Sequence, residues 1–275
     1  MSAEATPKSE VRAFWEAGSC GEVYADGEDL KSQMESQARV RYELEPYIHP
    51  FAEFSALAPG RDVLEIGVGM GADHCEWAKA GPKSLRGVDL TDRAVEWTTR
   101  RLETFGFTPD VRQGDAENLP FEDESFDLVY SWGVIMCSPD TPRAVREIHR
   151  VLRPGGRAKV MIYHRYSLTG YMLWLRYALL ARKPGRSLND VYETHLESPG
   201  TKAYSVDETA EMFSMFEKTD IHTILNFGDL LEGEVGQQHR GPILSIAKAL
   251  WPRWLLRHVA KNHGLYVMID AHKAA

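Results

Sequence analysis

The sequence has few of the residues that would staple a small fold. Cysteine occurs only as Cys20, Cys75 and Cys137, too widely scattered to outline a disulfide framework or a zinc knuckle. A reducing, cytoplasmic setting is therefore expected. Net positive charge is also missing: 32 Lys and Arg against 40 Asp and Glu give −8, which argues against strong non-specific attraction to a phosphate backbone. Nucleic acid is accordingly not an expected partner. Long apolar runs are absent too. The most apolar later stretch, 171–180, is interrupted by Arg176 and is too short for a membrane span, and residues 1–10 lack the apolar core of a signal peptide. No transmembrane segment is expected. No short ligand-spacing motif occurs, so no metal is expected.

What remains is the mixture of an ordinary globular chain, 43% hydrophobic and 26% charged over 275 residues, enough for one sizeable domain with an insertion. Residues 1–54 mix aromatics with charges and read as an N-terminal helical cover, with a helix over 34–45 limited by Pro46 and Pro50. Residues 55–275 read as the main domain. After the Pro59-Gly60 turn, strands are predicted at 62–66, 84–90, 111–113, 126–131 and 157–163, alternating with helices at 72–80, 93–105 and 142–151. That interval suits right-handed crossovers in a parallel sheet. Residues 167–215 break the rhythm as an insertion, opening with an amphipathic helix over 168–182. Strands at 221–226 and 265–269, with a helix over 242–262 between them, complete the prediction.

The strongest local phrase is Val63-Leu64-Glu65-Ile66-Gly67-Val68-Gly69-Met70-Gly71, an apolar strand running into alternating glycines and then a helix. Such a turn lets a ligand approach backbone amides at the carboxyl edge of a parallel sheet. Asp89 follows Gly67 by 22 residues at the end of the second strand, where a carboxylate can accept ribose hydroxyl hydrogen bonds. On that pair alone, NAD binding is a rival reading.

Further motifs follow in order: Gly87-Val88-Asp89-Leu90, Gly114-Asp115-Ala116-Glu117-x-Leu119-Pro120-Phe121, Phe126-Asp127-Leu128-Val129 and Leu152-Arg153-Pro154-Gly155-Gly156. Together with Glu65-x-Gly67-x-Gly69-x-Gly71 they make residues 55–165 resemble the class I S-adenosylmethionine-dependent methyltransferase family, in its small-molecule branch. The resemblance implies an α/β, Rossmann-like seven-stranded fold, mostly parallel with a reversed final strand. It implies S-adenosyl-L-methionine as cofactor and methyl transfer to nitrogen or oxygen of a small-molecule acceptor. Protein or nucleic-acid methylation is the alternative, as is a non-catalytic S-adenosylmethionine-binding protein.

The same resemblance assigns roles. Gly67, Gly69 and Gly71 would hold the aminoacyl half of the cofactor, with Glu65 orienting the loop. Asp89, with Leu90 beside it, would bind both ribose hydroxyls, and Asp115 and Ala116 would lie by the adenine. Ser131 and Trp132 would sit near the reactive methyl, and Leu152–Gly156 would make the turn before the fifth strand.

For the acceptor side, Tyr163-His164-Arg165-Tyr166 ends a predicted strand at the reactive edge. His164 is the first candidate for proton transfer or acceptor orientation, with His195 and His239 as alternatives. Cys137 stands where many relatives carry a histidine, and reads as a cavity-lining small residue. Trp15, Tyr24 and Tyr42 are expected in the cover, the tyrosines toward cofactor and Trp15 toward substrate. Tyr163, Tyr166, Tyr171 and Tyr192 are further substrate-binding candidates. Tyr171, Trp174 and Tyr177 recur three apart on one helical face, suited to a lid, a core helix or a homodimer contact.

Overall fold

Asp62–Ile66 (β1) is buried at every position, as expected of a strand covered on both faces. The computed structural model describes residues 6–232 and 251–275. Predicted features at His239 and in 242–250 lie outside the described residues.

Around β1 the sheet is completed by Ser84–Asp89 (β2), Val111–Gln113 (β3), Phe126–Trp132 (β4), Leu152–Tyr163 (β5), Lys218–Ile224 (β6) and Tyr266–His272 (β7). Their order is β3-β2-β1-β4-β5-β7-β6. β1 to β5 run parallel, and β7 is antiparallel to both β5 and β6. The expected seven strands with a reversed final strand are therefore observed. The chain reverses its direction of travel between β1 and β4, which leaves a crevice at the carboxyl ends of those strands.

Helices follow the apolar spacing of the sequence. Thr141–Val151 (α7) buries Ala144, Val145, Ile148 and Val151 on one face, and Asp140 caps it by accepting from the Arg143 amide at 3.0 Å. Ala72–Lys79 (α5) and Asp92–Thr104 (α6) are the crossovers after β1 and β2. The N-terminal cover is helical as expected, formed by Lys8–Ala17 (α1), Leu30–Leu44 (α2), Ile48–Ala52 (α3) and Phe54–Leu57 (α4). The insertion holds Leu168–Trp174 (α8), Leu188–His195 (α9) and Val206–Met212 (α10).

Several boundaries differ from expectation, among them the 34–45 helix, which is Leu30–Leu44, and the 265–269 strand, which is Tyr266–His272; three further differences have a visible cause. β5 begins at Leu152 because Leu152 already pairs with Phe126, and Arg157 then pairs with Leu128. The Arg153–Gly156 stretch is thus an irregularity within a strand rather than a turn ahead of it. β6 lies earlier than predicted, because its register runs from Lys218 opposite His272 to Ile224 opposite Tyr266. Asn226 instead makes a local turn, its side chain accepting from the Asp229 amide at 2.9 Å. The helix predicted over 168–182 stays α-helical to Trp174 and then widens into a π-turn at Leu175–Leu179.

Where β5 meets β7, Asp270 receives Arg157 and Lys159, the latter at 2.9 Å. Burial opposes its ionisation, but these two cations outweigh it and hold the carboxyl down at about 2. The ordinary aspartate value is about 3.9, so between roughly pH 4 and pH 2 the unfolded chain binds more protons. Stability from this pair is complete above that window and is lost as pH falls through it. Asp270→Asn should flatten the stability profile between pH 4 and pH 2, as read by urea unfolding across that range.

Candidate active site

A cavity of about 1070 Å³ opens at the carboxyl ends of β1, β2, β4 and β5. Its first half is built by the loop between β1 and α5. Gly67, Gly69 and Gly71 all have positive φ, at 80°, 52° and 74°. At Gly67 a Cβ would come within 2.1 Å of Val134 Cγ2, so the loop packs tightly under the segment that follows β4. At Gly69 a Cβ would meet nothing within 4 Å. Its amide donates to Asp89 Oδ2 at 3.1 Å, and Asp89 Oδ1 accepts from the Thr91 amide and hydroxyl at 3.0 and 2.8 Å. Burial raises the Asp89 carboxyl, and these donors act against the rise.

The cover is fastened to this loop and to the start of α5 by two arginines, Arg101 buried and Arg41 half-buried. Arg101 of α6 donates to the Met70 carbonyl, the Met34 carbonyl and the Gln37 side chain at 2.7, 3.1 and 2.6 Å. Arg41 of α2 grips Asp73 with two bonds, 2.9 and 2.6 Å, and reaches Glu45 at 3.1 Å. Tyr42 and Tyr130 add hydroxyl bonds to Asp73 at 3.0 and 2.9 Å. Despite its burial, Asp73 is held below the ordinary aspartate value by Arg41 and these hydroxyls. Below it, Glu65 hydrogen-bonds His74 Nδ1 at 2.9 Å, and burial drives the imidazole down to about 3 while raising the glutamate. His74 is therefore neutral at physiological pH.

α1 closes the outer side. Lys8 bridges Asp115 and Glu117 at 2.6 and 2.7 Å, and Glu16 accepts from the Asp92 and Arg93 amides at the start of α6 at 3.1 and 3.0 Å. Lys8, Phe14 and Trp15 line the cavity along with Leu90, Asp115 and Ala116.

The second half lies beyond β4 and β5. Trp132, Tyr163 and Tyr266 line it, with Tyr163 and Tyr266 stacked at 5.8 Å between ring centroids. Tyr266 donates to Glu45 at 2.7 Å, and Tyr163 donates to Glu197 at 2.7 Å. Cys20 and Cys137 also line this space; Cys20 is exposed, whereas Cys137 is buried, which pushes its thiol up to about 11. The Cys137 thiol is therefore not a thiolate at neutral pH. Farther out, Met172, Leu173, Leu175, Leu180, Leu231 and Trp251 make an apolar arm.

Comparison with known proteins agrees with this geometry. Residues 64–160 match the family model described as a methyltransferase domain. Over 98 residues, 35% of the chain, there is 41% identity to a probable phthiotriol/phenolphthiotriol dimycocerosates methyltransferase 2 of Mycobacterium ulcerans. The match spans 37% of that relative's length. The central domain is that of a class I S-adenosylmethionine-dependent methyltransferase.

The fold extends beyond the matched segment. A Haemonchus contortus phosphoethanolamine N-methyltransferase 2, solved with S-adenosyl-L-methionine, superposes on 85% of this chain and 52% of its own with a TM-score of 0.56 at 17% identity. The [4+2]-cyclase SpnF superposes on 99% of this chain and 98% of its own at TM-score 0.57, also at 17% identity. At that identity both likenesses concern the fold.

In this methyltransferase domain the glycine loop, Glu65, Asp89, Leu90, Asp115, Ala116 and Trp132 converge on the cavity, as do Trp15, Tyr24 and Tyr163 from the flanking elements. Other expected residues lie elsewhere. Ser131 is fully buried and donates to the Ile66 carbonyl at 3.2 Å. Tyr42 supports Asp73 from outside the cavity lining. His164 is buried off the cavity, its Nδ1 bonded to the Gly264 carbonyl at 3.1 Å. His195 stacks on Tyr177 at 3.9 Å. Tyr192 is a core residue whose hydroxyl meets Ser167 and the His164 carbonyl at 2.7 and 3.0 Å. Tyr166 and Tyr171 face outward, off the cavity wall. Trp174 donates to the Arg186 carbonyl at 2.8 Å, so the aromatic face of α8 is used partly within the insertion.

Reading the sequence picked out none of Lys8, Glu45, Tyr266 and Glu197 as binding or catalytic candidates. Each reaches the cavity from an element distant in sequence from the glycine loop, and no local spacing marks it.

Proposed function

We propose that the chain transfers a methyl group from S-adenosyl-L-methionine to nitrogen or oxygen of a small metabolite. The observation that carries this is the continuity of one cavity from Gly69 and Asp89 to the aromatic and apolar space beyond β4 and β5. The open space at Gly69 and the carboxylate of Asp89 fit the amino acid and ribose parts of that cofactor. When bound, it supplies an already activated methyl electrophile.

The protein's task is then to position and to keep water out. Gly67, Gly69 and Gly71 would hold the aminoacyl half, with Leu90, Asp115 and Ala116 around the adenine. Asp89 accepts from the Gly69 amide and twice from Thr91, so the ribose hydroxyls would share its remaining acceptor capacity with these donors.

The curated relative's dimycocerosate acceptor is consistent with a roomy apolar arm here. A cytoplasmic location belongs to the same reading; among the described residues no helix is long and apolar enough to cross a membrane. A homodimer through the insertion helix would have to use its exposed Leu175, Leu179 and Leu180.

Asp89→Ala should weaken S-adenosylmethionine binding by about tenfold to a hundredfold, the loss of one or two hydrogen bonds to a charged group. Isothermal calorimetry checks this. Incubation with isotopically labelled methyl donor and fractionated extract, followed by mass spectrometry, tests transfer itself. Binding of the donor without any labelled product would favour a non-catalytic binding protein, and absence of donor binding would end the proposal.

A further inference from the structure

The acceptor half of the cavity carries a carboxylate that the donor half does not use. Glu197, just after α9, is half-buried and lines the cavity. It accepts from Tyr163 at 2.7 Å, and the neighbouring charge that raises it further is another carboxylate, Glu45. Two cations on the same cavity wall are engaged elsewhere, Lys8 with Asp115 and Glu117 and Arg41 with Asp73 and Glu45. Arg176 is exposed on the outer arm, 5.1 Å from the Tyr177 ring.

Aromatic faces surround this end. Tyr163 stacks on Tyr266, and Tyr266 meets Trp132 edge-on at 5.8 Å. A carboxylate with no ion-pair partner among the described residues, flanked by aromatic rings, is chemistry suited to an ammonium group. Beyond it the wall is mostly apolar, through Met172, Leu173, Leu231 and Trp251, with Thr169, Arg176 and Asn226 also on it.

We propose that Glu197 and the stacked Tyr163–Tyr266 pair receive the protonated amine of an acceptor whose apolar body fills the arm. The consequence for chemistry rests on the methyl-transfer reading above. An ammonium cannot attack until it loses a proton. Glu197 takes that proton: an N–H bond breaks, an O–H bond forms on the carboxyl, and the electron pair left on nitrogen becomes the nucleophile. A neutral alcohol offers Glu197 no charge to compensate, and a carboxylate ligand is repelled by Glu197 and Glu45.

The test titrates the full chain by calorimetry, first with S-adenosylhomocysteine and then, in its presence, with n-octylamine, n-octanol and octanoate. Octylamine, protonated at neutral pH, should bind at least about tenfold more tightly than octanol, with no saturable octanoate binding. Glu197→Gln should lower octylamine affinity about tenfold and leave octanol and S-adenosylhomocysteine binding unchanged. Equal affinity for octylamine and octanol in the unaltered protein would overturn the inference even if the variant failed to fold. An unchanged octylamine affinity in a folded Glu197→Gln would also overturn it. Failure of S-adenosylhomocysteine to bind would instead remove the methyl-transfer reading, so the two failures are distinguishable.

Discussion

Gly67→Ala is expected to abolish measurable S-adenosylmethionine binding and to destabilise the fold by about 2–4 kcal/mol, combining overpacking with a strained left-handed backbone. The new methyl would stand 2.1 Å from Val134 Cγ2 and 2.7 Å from Cγ1, at a φ of 80°. Val134 immediately precedes the short helical turn Ile135–Cys137, all three residues of which are buried, so it has little room to retreat. The loop must therefore move, and with it the Gly69 amide that fixes Asp89. Calorimetry reads the first effect and urea unfolding the second. Gly69→Ala is the informative contrast, because there the methyl enters open space and the backbone strain acts without the collision. Equal stability loss in the two variants would show that packing against Val134 is not the cause.

Removing the guanidinium in Arg41→Met should cost about 3–5 kcal/mol at pH 7, since it leaves Asp73 and Glu45 buried without their counter-charge. Asp73 is the clearer contributor. Its folded carboxyl is depressed by Arg41, so its stabilisation is present above the ordinary aspartate value and fades as pH falls through the lower folded value. In the variant, burial without the cation raises the same carboxyl, and protonation relieves the penalty. The gap between parent and variant should accordingly be widest near pH 7 and shrink below about pH 4. Paired urea unfolding curves at neutral and acid pH measure it. Arg41→Lys should recover only part of the loss, because an ammonium cannot reproduce the two-bond grip on Asp73 while reaching Glu45. A gap that stays constant with pH would rule out the charge argument.

The sheet and the donor half were legible in the sequence because their signals are local. An apolar strand, the glycines after it and an acid at the next strand's end are read within a few dozen residues, and Asp62–Ile66 and Ala72–Lys79 lie where that spacing puts them. Strand ends were less legible where pairing decides them. β6 stops at Ile224 because its register with β7 does, while Asn226 is drawn into a side-chain turn with Asp229. The acceptor half was the least legible. His164 sits at the expected strand end, yet its ring turns to the Gly264 carbonyl, and the groups that line the space come from α2, β5, β7 and the insertion. Tyr266 and Glu45 are 221 positions apart and share a 2.7 Å hydrogen bond. Only packing brings them together, and no periodicity encodes it.

The fastening of α1 also gives the cavity two unlike borders. Lys8 and Glu16 pin that helix across the side where Asp89 and Asp115 lie, whereas the opposite end of the same space is bordered by Leu180 and Trp251. Displacing that helix requires the Lys8 ion pairs and the Glu16 bonds to part, so the polar border is held by charge while the other is held by dispersion.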